Sequence, residues 1–147
     1  MKKAIIHTIL VVLAMFSSLA TFAQTQAENN PQPFKGYISN EEYQVYIRMN
    51  FYENNITVPD QEIFGELPGF FGANRDSRKW LFTSVEMTDK NQATITIIND
   101  YGSEDLVATL TCNNDSTYTL KQKEGSTLKI AVKGKWVKIP KTIIFKK

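Results

Sequence analysis

The sequence predicts an all-β domain, an antiparallel meander of eight to ten strands, and three observations carry the prediction. Apolar and polar residues alternate with a period of two along most of the chain after Pro33. The alternating runs are separated by short clusters of Asn, Asp, Gly and Ser, and no stretch of ten residues has the three-four apolar spacing of an amphipathic helix.

The chain opens on Lys2 and Lys3, an apolar run from Ile9 to Phe16, and small residues up to Ala23. This order of charged, apolar and small residues is that of a secretory signal peptide over residues 1–23, with cleavage before Gln24. The apolar run is shorter than the ~20 residues of a membrane span. No cysteine stands near the cut to take a lipid. Residues 24–33 are polar and are expected to form a disordered lead, which leaves 34–147 as one domain without stable membrane insertion after signal removal.

Within that domain the first strand is expected at Phe34 to Ile38. A long second strand follows, in which Tyr43, Val45, Ile47, Met49 and Phe51 form one apolar face. Short strands are expected at Ile56 to Val58 and Glu62 to Phe64, and longer ones at Trp80 to Met87, Ala93 to Ile98, Leu106 to Cys112, Thr117 to Lys123, Thr127 to Val132 and Thr142 to Lys146. Turns such as Asn113-Asn114-Asp115-Ser116 and Glu124-Gly125-Ser126 join consecutive runs as hairpins, so neighbours in sequence pair antiparallel. A long flat sheet of this kind would leave two edges and an apolar face in water. An up-and-down barrel of lipocalin-like type satisfies both, and a two-sheet sandwich is the alternative. Trp80 and Trp136 are expected in its core.

The pieces Gly36-Tyr37-Ile38, Asn99-Asp100-Tyr101-Gly102-Ser103-Glu104-Asp105, Thr117-Tyr118-Thr119-Leu120 and Gly134-Lys135-Trp136-Val137-Lys138-Ile139-Pro140 resemble those of small exported proteins of Bacteroidota-type bacteria, several with lipocalin-like barrels. The resemblance implies export and a barrel. It carries over no functional residue, and the Gly-x-Trp opening of lipocalins is replaced here by Phe34-Lys35-Gly36-Tyr37.

Composition closes most familiar chemistries. The single histidine, His7, lies in the expected signal peptide, so the mature chain has no imidazole base, no Ser-His or Cys-His nucleophile and no histidine-bound zinc. Cys112 is alone, which excludes an intramolecular disulfide and a dithiol centre; alternation with Ala108 and Leu110 places it on their apolar face. Residues 24–147 hold fifteen bases and fifteen acids, so a globally cationic nucleic-acid binder is not indicated. The charges are segregated, with thirteen acids and six bases up to Asp105, then two acids and nine lysines. The adjacent carboxylates Glu41 with Glu42 and Glu104 with Asp105 point to opposite faces of a strand or into solvent, not across a cleft.

Two constellations remain. Asp100, Glu104 and Asp105 share a loop with hard oxygen donors and are a calcium candidate, although the spacing is not that of an EF-hand and a solvated hairpin turn explains the same residues. The segment Gly65 to Arg78 brackets Phe70 and Phe71 between Gly69 and Gly72 and is expected to be an irregular aromatic loop, with Arg75 and Arg78 beyond it. Tyr46, Arg48 and Tyr52, on the second face of the long strand, extend that surface. If the rings of the loop do not complete the core, they meet a ligand or partner.

The expectation is therefore a non-enzymatic binding protein of the periplasm or exterior, without a cofactor, recognising a protein partner through these seven residues. A carrier of an apolar small molecule inside the barrel and a carboxylate-dependent hydrolase are the alternatives.

Overall fold

A computed structural model describes residues 30–114 and 116–147. The expected signal peptide and residues 24–29 of the expected lead lie outside the described residues, as does Asp115.

The strands run in order as β1 (Lys35–Asn40), β2 (Val45–Asn50), β3 (Ile56–Thr57), β4 (Glu66–Leu67), β5 (Gly69–Ala73), β6 (Asp76–Asp89), β7 (Gln92–Asn99), β8 (Asp105–Cys112), β9 (Thr117–Gly125), β10 (Lys129–Val132), β11 (Lys135–Lys138) and β12 (Thr142–Lys146). Eight of them close an antiparallel up-and-down barrel in the order β1-β12-β9-β8-β7-β6-β5-β2. The other four make two excursions, the hairpins β3-β4 and β10-β11. Closure removes the edges that a sandwich would keep. No helix of the described residues is long and apolar enough to cross a membrane.

Alternation sorts the side chains. Ile47 and Met49 on β2, Phe71 on β5, Phe82 on β6 and Ile95 and Ile97 on β7 point inward and are buried in one continuous core. An eight-stranded barrel has an interior just wide enough for side chains to fill. Pro33 and Phe34 plug one mouth: the Tyr118 hydroxyl donates to the Pro33 carbonyl at 2.6 Å, Phe34 stacks on Phe51 at 5.5 Å between ring centroids, and the Phe34 amide donates to the Tyr52 hydroxyl at 3.2 Å. Tyr52 thereby serves this plug.

The β10-β11 hairpin closes the other mouth, adding Leu128, Ile130 and Ile139 to the same core. Gln122, buried at the end of the inward row of β9, fastens it. Its Oε1 accepts from the Leu128 amide at 2.8 Å, and its Nε2 donates to the carbonyls of Ile139 at 3.3 Å and Pro140 at 3.0 Å. The Trp80 indole donates to the Lys129 carbonyl at 3.1 Å, and Asp76 Oδ2 accepts from the Ala131 amide at 2.7 Å.

The structure corrects four expectations. The Gly65 to Arg78 segment is no loop over its Phe-Phe pair: Gly69–Ala73 is the fifth strand, hydrogen-bonded to β2 and β6. Its glycines are there because a Cβ at Gly69 would strike the Arg48 carbonyl, and one at Gly72 would sit 2.6 Å from the Tyr46 ring. The long second strand is cut to six residues. Gln44 turns at φ 54°, and Asn50 Oδ1 takes the amides of Tyr52 and Glu53. Glu62–Phe64 is a 3₁₀ turn, with the Gly65 amide donating to Glu62, rather than a strand. Trp136 is 57% exposed, because β11 turns Val137 toward the core and its neighbours outward. Trp80 is buried as expected.

Replacing Gln122 with Met keeps the volume and strips these hydrogen bonds from buried groups. Urea denaturation should show a loss of about 2–3 kcal/mol, with amide exchange at Leu128 and Ile139 accelerating more than in β7.

Candidate functional site

Two cavities on the outside of the barrel stand out. The larger runs along the outer surface of β1 and β2 and is walled by the excursion from Tyr52 to Pro68. Asn50 builds the start of that wall. Its buried amide donates to Glu53 Oε2 at 2.8 Å and to Asn55 Oδ1 at 3.0 Å, while its Oδ1 holds the next two amides of the turn. Val58 then folds back onto Phe70 and Leu81, forming a small second core on the barrel's outside. At the far end Ile63 stands 93% exposed beside Phe64. Glu53, Asp60, Glu62 and Glu66 lie along this wall, which carries no basic residue.

The groove floor follows from register. Ser39 is opposite Tyr46 and Tyr37 opposite Arg48, so Tyr37 and Tyr46 are diagonal neighbours on the outer face. Their rings stack at 5.4 Å, and Tyr46 meets Phe70 edge-on at 5.9 Å. Gly72 leaves the space that the Tyr46 ring occupies. Tyr37 is half-exposed, and Arg48 is exposed with no carboxylate in ion-pair range among the described residues. Burial, with the Tyr37 phenol beside it, pushes the Tyr46 hydroxyl above its ordinary pKa.

Of the residues singled out in the sequence, Tyr46, Arg48 and Phe70 therefore meet in one groove, with Phe70 as its buried floor rather than a projecting ring. Phe71 faces the barrel interior at 1% exposure, opposite Ile47 and Trp80, and is a core residue. Arg75 is exposed and reaches the Tyr43 carbonyl at 3.4 Å. Tyr52 supports the Phe34 plug. The sequence pattern does not single out Tyr37. The inward Ile38 beside it is the signal that places it outside, on the same surface as Tyr46.

Arg78 goes to a second cavity, of about 200 Å³, between the start of β6, the loop after β7 and the β10-β11 hairpin. Its guanidinium lies 4.6 Å from the centre of the Trp136 ring. The loop's carboxylates are turned to different tasks. Asn99 organises the turn by accepting from the Ser103 and Glu104 amides, and Glu104 pairs with Lys129 at 3.0 Å. Asp105 starts β8, and among the described residues no three Asp, Glu, Cys or His side chains converge to hold a metal ion. Glu41 and Glu42 are exposed in the β1-β2 turn. Cys112 is half-buried against the core, its thiol donating to the Asn114 carbonyl at 2.9 Å.

Comparisons with protein-family models, curated proteins and solved structures return no match. Both cavities therefore stand on their own geometry.

A raised Tyr46 pKa means the folded state holds that proton more tightly than the unfolded chain. The resulting stability is fully present below the unfolded tyrosine value of about 10 and is lost as pH rises through the folded value. Urea midpoints measured across the alkaline range should fall less steeply in Tyr46→Phe than in the native protein, and phenolate absorbance should lose one late step.

Proposed function

We propose that this chain is an exported, non-enzymatic binding protein that recognises a protein partner through the groove of Tyr37, Tyr46 and Arg48 and the acidic wall beside it. The carrying observation is the Tyr37–Tyr46 stack next to an arginine with no carboxylate partner among the described residues. Tyrosine and arginine are the residues that dominate interface energetics, since each combines a broad apolar surface with a polar tip. Here the two tyrosines are held against each other and against Phe70 on barrel strands, so ordering them costs little, and the cost of ordering falls on Arg48.

The partner fitted to this groove lays an apolar or aromatic side chain on Tyr37 and a carboxylate or main-chain carbonyl on Arg48. Ile63 and Phe64 extend the contact as an apolar tip set among acids. A large exposed aliphatic residue on a short turn has no role in the core. The N-terminal order of Lys2, Lys3, apolar run and Ala23 supports delivery to the periplasm or exterior. The absence of histidine after His7 supports a binding role over catalysis. Against cargo inside the barrel stands the interior itself, where Ile47, Phe82, Ile95, Ile97 and Phe145 are fully buried against one another.

Photo-crosslinking in an exporting host tests the reading. A benzoylphenylalanine at position 37 or 57 should give the same discrete protein adduct, position 90 on the β6-β7 turn should give none, and Arg48→Glu should reduce the adduct at least about tenfold. Equal adducts from position 90, or indifference to Arg48→Glu, would remove the groove as the site.

A further inference from the structure

The second cavity supports a separate conclusion: we propose that it is a binding site for one neutral saccharide ring, with Trp136 as the stacking surface.

Its volume sets the scale. About 200 Å³ is below the ~300–1,000 Å³ of pockets for drug-sized ligands. A single ring is the scale that this volume matches.

Charge sets the polarity. Arg78, Lys79 and Lys129 face the cavity together with Asp76, Asp100 and Glu104, so cations and anions balance. A net anion or cation gains from one set and loses to the other. A ligand bearing several hydroxyl groups gains from both, because each hydroxyl is at once a donor and an acceptor.

The polar groups are held in place before any ligand arrives. Asp76 accepts from the Ala131 amide through Oδ2 at 2.7 Å and from the Arg78 amide through Oδ1 at 3.1 Å. Glu104 is held by Lys129 through Oε1 at 3.0 Å and reached by the Asn99 amide through Oε2 at 3.4 Å. A carboxylate has about four acceptor positions, so Glu104, which is partly exposed, retains capacity for a ligand hydroxyl, while the buried Asp76, with the Arg78 guanidinium 3.6 Å from its Oδ1, holds the cation and the hairpin in place. A fixed, partly satisfied carboxylate is the arrangement that reads hydroxyl directions without reorganising.

Trp136 supplies the apolar half. Packing does not require it, since Val137 is the residue of β11 turned to the core, yet the indole stands 57% exposed on the cavity wall. The Arg78 guanidinium and the Lys129 ammonium lie over its ring, 4.6 Å and 5.1 Å from the centre, and the part of the indole left exposed beyond them is the surface offered to a ligand. Tyr101, 80% exposed, stands at the rim. The negative face of an aromatic ring attracts the C–H groups on one side of a pyranose, while the hydroxyls around its edge reach the carboxylates and cations.

The experiment uses protein obtained by expressing the full chain, titrated with the methyl glycosides of glucose, galactose, mannose and N-acetylglucosamine and, as charged controls, glucuronate and glucosamine. Tryptophan fluorescence and calorimetry report binding. The molecule has two tryptophans, and Trp80 is buried. At least one neutral glycoside should change the fluorescence of the native protein and bind more tightly than either charged control. Trp136→Ala should weaken it roughly tenfold at an unchanged urea midpoint, and Tyr101→Ala should weaken it by a smaller factor. Failure of every neutral glycoside to bind, tighter binding of a charged control, or equal affinity in Trp136→Ala would each overturn the proposal. Neither result bears on the Tyr37 groove.

Discussion

Closure of an eight-stranded barrel is the constraint on which everything else in this molecule depends. Once the sheet closes, every strand residue is either inside or outside, and an inside of this width takes side chains or one small ligand; here side chains pack into it as one continuous core. Phe82, Ile95, Ile97 and Phe145 are wholly enclosed because neighbours across the lumen meet them there. The domain has no disulfide to help it, since Cys112 is the chain's one cysteine. Cohesion must come from this filled interior and from plugs at its two mouths, Phe34 at one and the β10-β11 hairpin at the other. Gln122 is the polar exception in the inward row of β9, and it is tolerated because three hydrogen bonds satisfy it.

The same constraint governs how much of the fold is legible in the sequence. Where one face of a strand is buried and the other wet, alternation reads clearly, and β7, β8 and β12 fall within a residue of their expected limits. Legibility fails where that rule fails. β5 is buried on both faces, inside by the barrel core and outside by Val58 and Leu81, so Gly-Phe-Phe-Gly-Ala shows no alternation. Its glycines resemble loop punctuation, yet they are small because other groups need the space. β11 errs in the opposite sense. A short hairpin lid has one face on the core, and which face that is depends on how the hairpin folds over the mouth.

For the candidate sites, residue type was informative and location was not. Tyr46 and Arg48 on the second face of β2 read correctly as outward, because Val45, Ile47 and Met49 claim the inside. Phe70 and Phe71 were singled out together, but adjacency on a strand sends them to opposite sides, and they serve two different cores. Arg78 and Glu104 are far apart in sequence and belong to one cavity, a neighbourhood set by the β6-β7 pairing and by the placement of the hairpin. No local pattern encodes that.

Two buried asparagines show how the barrel positions its exterior. Asn50 ends β2 and Asn99 ends β7, and each uses its carbonyl to accept two backbone amides of the following turn while its amide donates to side chains there. Asn50 launches the wall of the tyrosine groove; Asn99 shapes the loop beside Trp136. An aspartate at either place would keep the acceptor and lose the donor, leaving Glu53 or Glu104 facing a like charge. The rigid core therefore reaches each outer cavity through a neutral amide. At the Trp136 cavity Asp76 and Glu104 add their own bonds to the hairpin, so there the surface residues share the work of holding the loops with the buried amide.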